Sequence, residues 1–210
     1  MYLPDFLINK YNKWKQNEFP KNSNLLSELE KKGQNPKAMI ISCCDSRVNP
    51  NIIFKGVEGD YFISRNIANL VPSSDAGPLH FATSSAIDYA ISSLKISNLI
   101  ILGHSNCGGI KHAYEFFSKN KQKDNSSINN WIETIRPAYE MLDKNYDKKN
   151  ILQNLEKLSI QNSISNLYSF PKIKNLILNN KLNVYGLWFE IKSGNLMLFD
   201  EKKNIFVNIN

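Results

Sequence analysis

The chain has 210 residues, enough for one domain with a substantial buried core. Its 42% apolar content excludes a disordered or collagen-like polymer, and its longest strongly apolar run, residues 99–102 before Gly103, is far short of the ~20 residues that span a bilayer. A net charge of +7 raises nucleic acid as a partner, but the lysines are scattered through stretches such as Lys119-Asn120-Lys121-Gln122-Lys123 and no basic helix with interleaved aromatics stands out. A solvated Lys/Asn-rich surface is therefore expected, with neither nucleic acid nor membrane as partner. Asp5, Asn9, Lys10 and Lys13 interrupt the first fifteen residues, so no secretory pattern is present and a cytoplasmic location is expected.

In chain order, Leu7, Tyr11 and Trp14 fall at i, i+4 and i+7 and predict a first amphipathic helix. Pro20 interrupts it, and a second short helix carrying Leu25, Leu26 and Leu29 stops at Gly33. Residues 1–36 thus read as a helical arm whose apolar stripes need the main domain or a partner subunit to cover them. From residue 37 to 210 the pattern is that of a single α/β domain. Residues 38–43 form a continuous apolar run, as in a strand buried on both faces, and residues 61–64 and 99–102 are two more. A helix is predicted over 79–94 with Ala82, Ala86, Tyr89 and Ala90 on its packed side, followed by helices over 108–119 and 150–168. Residues 119–127 read as a polar loop. Residues 182–191 and 196–199, joined across Ser193-Gly194-Asn195, predict a terminal hairpin. Strands alternating with helices imply an α/β fold with a mostly parallel central sheet flanked by helices. In such sheets ligands bind beyond the carboxyl ends of the strands.

Both cysteine-bearing motifs fall at that edge. There are three cysteines, an odd number that argues against a disulfide framework and for metal or catalytic use. At the end of the first strand stands Ser42-Cys43-Cys44-Asp45-Ser46-Arg47. The period-two alternation of extended chain sends Cys43, Asp45 and Arg47 to one side and Cys44 to the other, as a small buried hydrophobe. Where the third strand turns into a helix stands Gly103-His104-Ser105-Asn106-Cys107-Gly108-Gly109, whose His-x-x-Cys spacing lets an imidazole and a thiolate reach one ion. Cys43, His104 and Cys107 together make a Cys2His set, and three protein ligands leave a catalytic zinc an open position. If Cys44, His80 or His112 supplied a fourth ligand, the site would be closed and structural. Asp45 and Arg47 read either as an ordinary ion pair fixing a loop or as a dyad. In the dyad the carboxylate orients a nucleophile, or fills the open position as a gate.

These residues resemble the β-class carbonic anhydrases, whose signature is Cys-x-Asp-Ser-Arg followed some sixty residues later by His-x-x-Cys. The similarity continues through Gly33-Gln34-Asn35-Pro36-Lys37, Ser64-Arg65-Asn66-Ile67-Ala68-Asn69 and Ala86-Ile87-Asp88-Tyr89-Ala90, strongly over residues 34–112 and more loosely at Val184-Tyr185-Gly186. The resemblance implies a zinc enzyme that interconverts carbon dioxide and bicarbonate. Cys43, His104 and Cys107 would hold Zn2+, while Asp45, itself held by Arg47, would accept a hydrogen bond from the attacking hydroxide. Gln34 and the Gly108 N–H would stabilise charge on the substrate oxygens, and Phe62, Ile67 and Tyr89 would line an apolar pocket, in part across a dimer interface. Without the resemblance those three residues read as core packing. His80 or His112 could relay the proton. Gln34 points to the plant-like subgroup. Ile40 stands where another subgroup carries the tryptophan of a non-catalytic bicarbonate pocket, so bicarbonate inhibition of that form is not expected. The resemblance also implies a homodimer or homotetramer. Rival expectations are a hydrolase of carbonyl sulfide or carbon disulfide on the same scaffold, and a non-catalytic zinc-stabilised interaction protein.

Overall fold

The computed structural model describes residues 2–77, 81–119, 126–143 and 150–209. Six strands form one sheet: β1 (Ala38–Cys43), β2 (Tyr61–Asn66), β3 (Asn98–His104), β4 (Asn183–Phe189), β5 (Leu196–Asp200) and β6 (Ile205–Asn208). Their order is β2-β1-β3-β4-β5-β6. The first four in that order run parallel and the last two antiparallel. The mostly parallel α/β architecture thus stands, and the expected hairpin is β4–β5. β6 extends it across a turn in which Asn204 adopts φ 56°. Its four residues follow a polar run, too short a signal to read as a strand.

β1 is buried along its whole length because both faces of the sheet are covered. Met39 and Ile41 join Leu99 and Ile101 in one core cluster, while Ile40 joins Leu102 and Leu187 in another. The first face is covered by α4 (Phe81–Ser92), by the long helix α8 (Ile151–Leu167) and by α9 (Pro171–Leu178). α4 buries Thr83, Ile87, Ala90 and Ile91, so its packed stripe is rotated from the expected Ala82/Ala86/Tyr89/Ala90 line. The β-branched and larger residues remove more apolar surface from water than the alanines, and the helix turns to bury them. Leu79, the expected start of that helix, and most of the 119–127 loop lie outside the described residues.

Short helices α6 (Ser127–Ile132) and α7 (Arg136–Glu140) pack around α5 (Gly108–Ser118), while Ile53 of α3 (Pro50–Ile53) packs on the Ile40, Leu102 and Leu187 cluster. A third cluster gathers Cys43 and Cys107 with Ile110, Phe117, Ile135 and Leu155, so the carboxyl ends of β1 and β3 meet a packed layer made by α5 to α8. The N-terminal helices α1 (Asp5–Asn17) and α2 (Phe19–Lys32) bury none of their residues. α2 touches the domain: Asn22 donates to Glu58 at 3.2 Å, and Leu29 lies where a side chain at Gly59 would stand, 2.9 Å from an added Cβ. α1 rests on α2 through Trp14 and Phe19, with ring centroids 5.5 Å apart. Its other apolar residues face solvent. Among the described residues no helix is long and apolar enough to cross a membrane.

Candidate metal centre

β1 ends at Cys43 and β3 at His104, strands paired side by side in the sheet, and Cys107 is the N-cap of α5. Three backbone segments therefore deliver their side chains to one point. The Cys43 and Cys107 Sγ atoms are 3.9 Å apart, and the ligand atoms of Cys43, His104 and Cys107 all lie within 4.8 Å of one another. Two sulfurs ~2.3 Å from a tetrahedral zinc stand about 3.8 Å apart, so the separation suits such an ion. His104 is almost wholly buried. Its Nδ1 stands 2.9 Å from the Ser105 carbonyl, which accepts from Nδ1–H and leaves Nε2 with the lone pair. Nε2 is buried with no hydrogen-bond partner. An orphaned imidazole nitrogen facing two thiols is costly unless an electrophile completes it. The donor set thus fits a soft-to-borderline metal ion. Without metal, the Cys107 thiol hydrogen-bonds Cys43 and holds the Cys43 sulfur well below the usual thiol range. That same bond, together with burial, pushes Cys107 up.

Asp45 stands beside this cluster and not in it. Arg47 grips its carboxylate with a fork, Nε donating to Oδ1 at 2.9 Å and Nη2 to Oδ2 at 2.7 Å, and the Arg47 backbone N–H adds a third bond to Oδ1 at 3.0 Å. Those contacts hold the Asp45 carboxyl well below the usual carboxylate range. Asp45 Oδ2 lies 3.9 Å from His104 Nε2, close enough to reach a group bound at the cluster. Arg47 also donates to the Asn106 carbonyl at 3.1 Å, bridging the two motifs.

The convergence of Cys43, Asp45 and Arg47 is therefore real, but it comes from a turn and not from strand alternation. Extended chain stops at Cys43, and Val48 N–H bonds back to the Asp45 carbonyl at 3.0 Å. For the same reason Cys44 is not the buried hydrophobe expected. Its N–H donates to the Asn66 carbonyl, and its side chain is exposed in a groove of about 620 Å³ that Arg65, Ile67 and Trp131 also line. No fourth ligand joins the cluster among the described residues. Cys44 is outside it, His112 pairs through Nε2 with Asn129 Oδ1 at 2.9 Å, and His80 lies outside the described residues.

The expected pocket residues separate into two groups. Ile67 belongs to the site: a Cβ on Gly109 would stand 2.6 Å from its Cγ2, so the glycine is what allows the ligand loop this close. At Gly108, by contrast, an added Cβ would meet nothing within 4 Å. Phe62 and Tyr89 pack on each other, with centroids 5.8 Å apart, at the other end of the strands. Phe62 is level with Met39, four residues before Cys43, or about 13 Å along the sheet. Gln34 is exposed in the segment between α2 and β1. Phe62 and Tyr89 do not stand beside this chain's own cluster, and Gln34 precedes β1, at the end of the strand opposite Cys43.

Two residues have a place at this centre that the motifs alone do not give them: Arg65, which stands in the Ser64-Arg65-Asn66 motif without a role, and Glu156, which stands in none. Arg65 donates to the carbonyls of Cys43, Asp45 and Val48, at 2.9, 2.8 and 2.6 Å, and so clamps the loop that carries Cys43 and the dyad. Replacing Arg65 by Ala removes all three bonds; a loss of about 2–4 kcal/mol in denaturant unfolding is expected, and an unchanged midpoint would contradict the clamp. Glu156 accepts from the Cys107 N–H at 3.0 Å and, through its other oxygen, from Trp188 Nε1–H at 3.0 Å. The signal for Glu156 was present: it interrupts the buried stripe Leu155, Ser159, Ile160, Ser163 on α8, where an unpaired charge has no reason to stand.

Comparison with known proteins shows the family. Residues 38–196 match the family model described as carbonic anhydrase. The chain is 33% identical over 190 residues to β carbonic anhydrase 3 of Arabidopsis thaliana, covering 89% of this chain and 73% of that protein. The structure of the β-carbonic anhydrase CcaA superposes with a TM-score of 0.90 at 26% identity, covering 98% of this chain and 92% of that one. One of two tetrameric β-carbonic anhydrases from Sordaria macrospora does so with a TM-score of 0.78 at 27% identity, covering 92% and 95%. A catalytic-type Cys–His–Cys cluster on a matching parallel sheet, with relatives across its length, leaves one assignment: the chain belongs to the β class of the carbonic anhydrases, enzymes of reversible carbon dioxide hydration.

Proposed function

We propose that this enzyme works with a zinc ion held by Cys43, His104 and Cys107, and that Asp45 and Arg47 are its catalytic dyad. The observation that carries the reading is the buried, unpartnered His104 Nε2 facing two thiols 3.9 Å apart. Zinc there supplies the Lewis acidity that makes hydroxide available near neutral pH. The protein does the rest. Asp45 Oδ2 accepts the O–H of the nucleophile, leaving an oxygen lone pair aimed at carbon dioxide. Arg47 keeps that carboxylate anionic and fixed in orientation, and its bond to Asn106 keeps the two loops in register. Ile67 provides apolar surface for an uncharged substrate, and the Gly108 N–H donates to a product oxygen.

Two thiolates neutralise the ion's charge, so water is acidified less than at an all-histidine site, and activity should climb from about pH 6.5 to about pH 9. Asp45 is not the group responsible. Its folded pKa is depressed, so its charge and the stability it adds are complete above the unfolded carboxylate pKa near ~4 and are lost only in strong acid. Stopped-flow hydration across that range tests the reading. A flat profile would remove the two-thiolate argument. Failure to turn over carbon dioxide with zinc bound would favour a sulfur-analogue hydrolase or a structural metal.

The functional unit in this reading is a homo-oligomer. Phe62, Tyr89 and Gln34 are too far from their own chain's cluster, and they serve the pocket of a second copy. Tyr89 is 48% exposed, and α1 presents Phe6, Leu7 and Tyr11 with nothing among the described residues to bury them. Tetrameric relatives support the same reading. Tyr11→Asp combined with Phe6→Asp should lower the mass seen by sedimentation velocity. An unchanged mass would show that α1 does not hold the assembly. The reducing cytoplasm suits thiols that must stay uncrosslinked to bind metal, and it is the location proposed.

A further inference from the structure

Glu156 is a buried carboxylate that the reaction does not use. It is 4% exposed, on the face of α8 that packs against β3 and β4, and no cation lies within ion-pairing distance of it among the described residues. Lys157, its neighbour in sequence, instead lies over the Trp188 ring at 4.7 Å. A carboxylate in such a place costs several kcal/mol unless each oxygen finds donors. Here both do. Oε1 takes the Cys107 N–H and Oε2 takes the Trp188 indole N–H, each at 3.0 Å. Glutamine has the same size but could not do this, because its NH2 would face one of the two N–H donors. The pattern of donors therefore calls for a carboxylate.

The Cys107 N–H is not an arbitrary donor. Cys107 is the first residue after Asn106, which is held at φ 55°, and it caps α5 with φ −70° and ψ 120°. Rotation of the 106–107 peptide would swing the Cα–Cβ bond, and with it the sulfur, relative to Cys43. Arg47 grips the Asn106 carbonyl from the solvent side, and Glu156 grips the amide N–H of the same peptide from the core side. One peptide plane is pinned at both of its polar atoms.

We propose that Glu156 is a positioning residue for the metal centre: through the Cys107 N–H it sets where the Cys107 sulfur stands, before the ion arrives and while it is bound. This rests on the reading of Cys43, His104 and Cys107 as zinc ligands. If the wild-type protein holds no zinc at those residues, that reading fails by itself. If it does hold zinc, Glu156 can be tested separately.

The test compares Glu156→Gln with Trp188→Phe in the full-length protein. Trp188→Phe removes the donor on Oε2 and leaves the Cys107 bond intact. Two readouts are taken: the rate of zinc release to a chromophoric chelator, and the thiolate-to-metal absorption of the cobalt(II)-substituted protein. Glu156→Gln should release zinc about 10–100-fold faster and shift the cobalt spectrum, while Trp188→Phe stays within about twofold of wild type with an unshifted spectrum. Wild-type release and spectrum in Glu156→Gln would overturn the proposal. So would equal acceleration in both variants, which would reduce the effect to lost core stability. Should Glu156→Gln fail to fold, amide exchange in the metal-free wild-type protein decides. A protected Cys107 N–H supports the proposal, and exchange at the unprotected rate overturns it.

Discussion

Asp45→Asn should leave zinc content at the wild-type level and lower kcat about 10²–10³-fold. Asp45 lies outside the cluster, so the ion keeps its three ligands. What changes is the acceptor. The carboxylate meets two Arg47 donors and the Arg47 backbone N–H and still has a lone pair on Oδ2 for the nucleophile, 3.9 Å from His104 Nε2. An amide has one acceptor atom. Whichever way it flips, its NH2 points either at the Arg47 fork or at the nucleophile, and the oriented O–H bond is lost. Metal analysis beside stopped-flow rates separates the two effects. A near-normal kcat with full zinc would take Asp45 out of the mechanism, and loss of zinc would make it a ligand.

Cys107→Ser is the second large effect, and it acts on the metal first. Serine keeps the N–H to Glu156 and the helix cap but replaces a thiolate with a hydroxyl that does not ionise at neutral pH. Zinc stoichiometry after dialysis should fall from about one to near zero, and hydration activity should fall below detection. Full zinc occupancy in this variant would mean that two residues and solvent suffice, and the three-ligand site would have to be redrawn.

Much of this architecture was legible in the chain because it rests on local signals. The apolar run 38–43 could only be a strand covered on both sides, and its burial along all six residues follows from that. The spacing of His104 and Cys107 across a strand-to-helix turn brings two candidate ligands together without any tertiary information. Other features were misread where a local rule was carried past the element that justified it. Cys44 was assigned by strand alternation, yet the strand ends one residue earlier, and Arg65 draws the Cys43, Asp45 and Val48 carbonyls into a turn that leaves Cys44 exposed. Tyr89 was placed on the packed side of its helix by the small residues around it. Burial of Ile87 and Ile91 turned that helix the other way.

The sequence by itself determined the strand–helix alternation and the two cysteine-bearing motifs at the strand ends, since each depends on residues within a few positions of one another. Only the tertiary structure decided that Asp45 is held by Arg47 outside the ligand cluster, and that Phe62 and Tyr89 lie about 13 Å along the sheet from the Cys43 level. It alone brought Glu156, forty-nine residues from Cys107, to the ligand's own N–H. Those outcomes turn on sheet register and on which helix face is buried. Such quantities are set by packing between segments distant in the chain, and no local pattern encodes them.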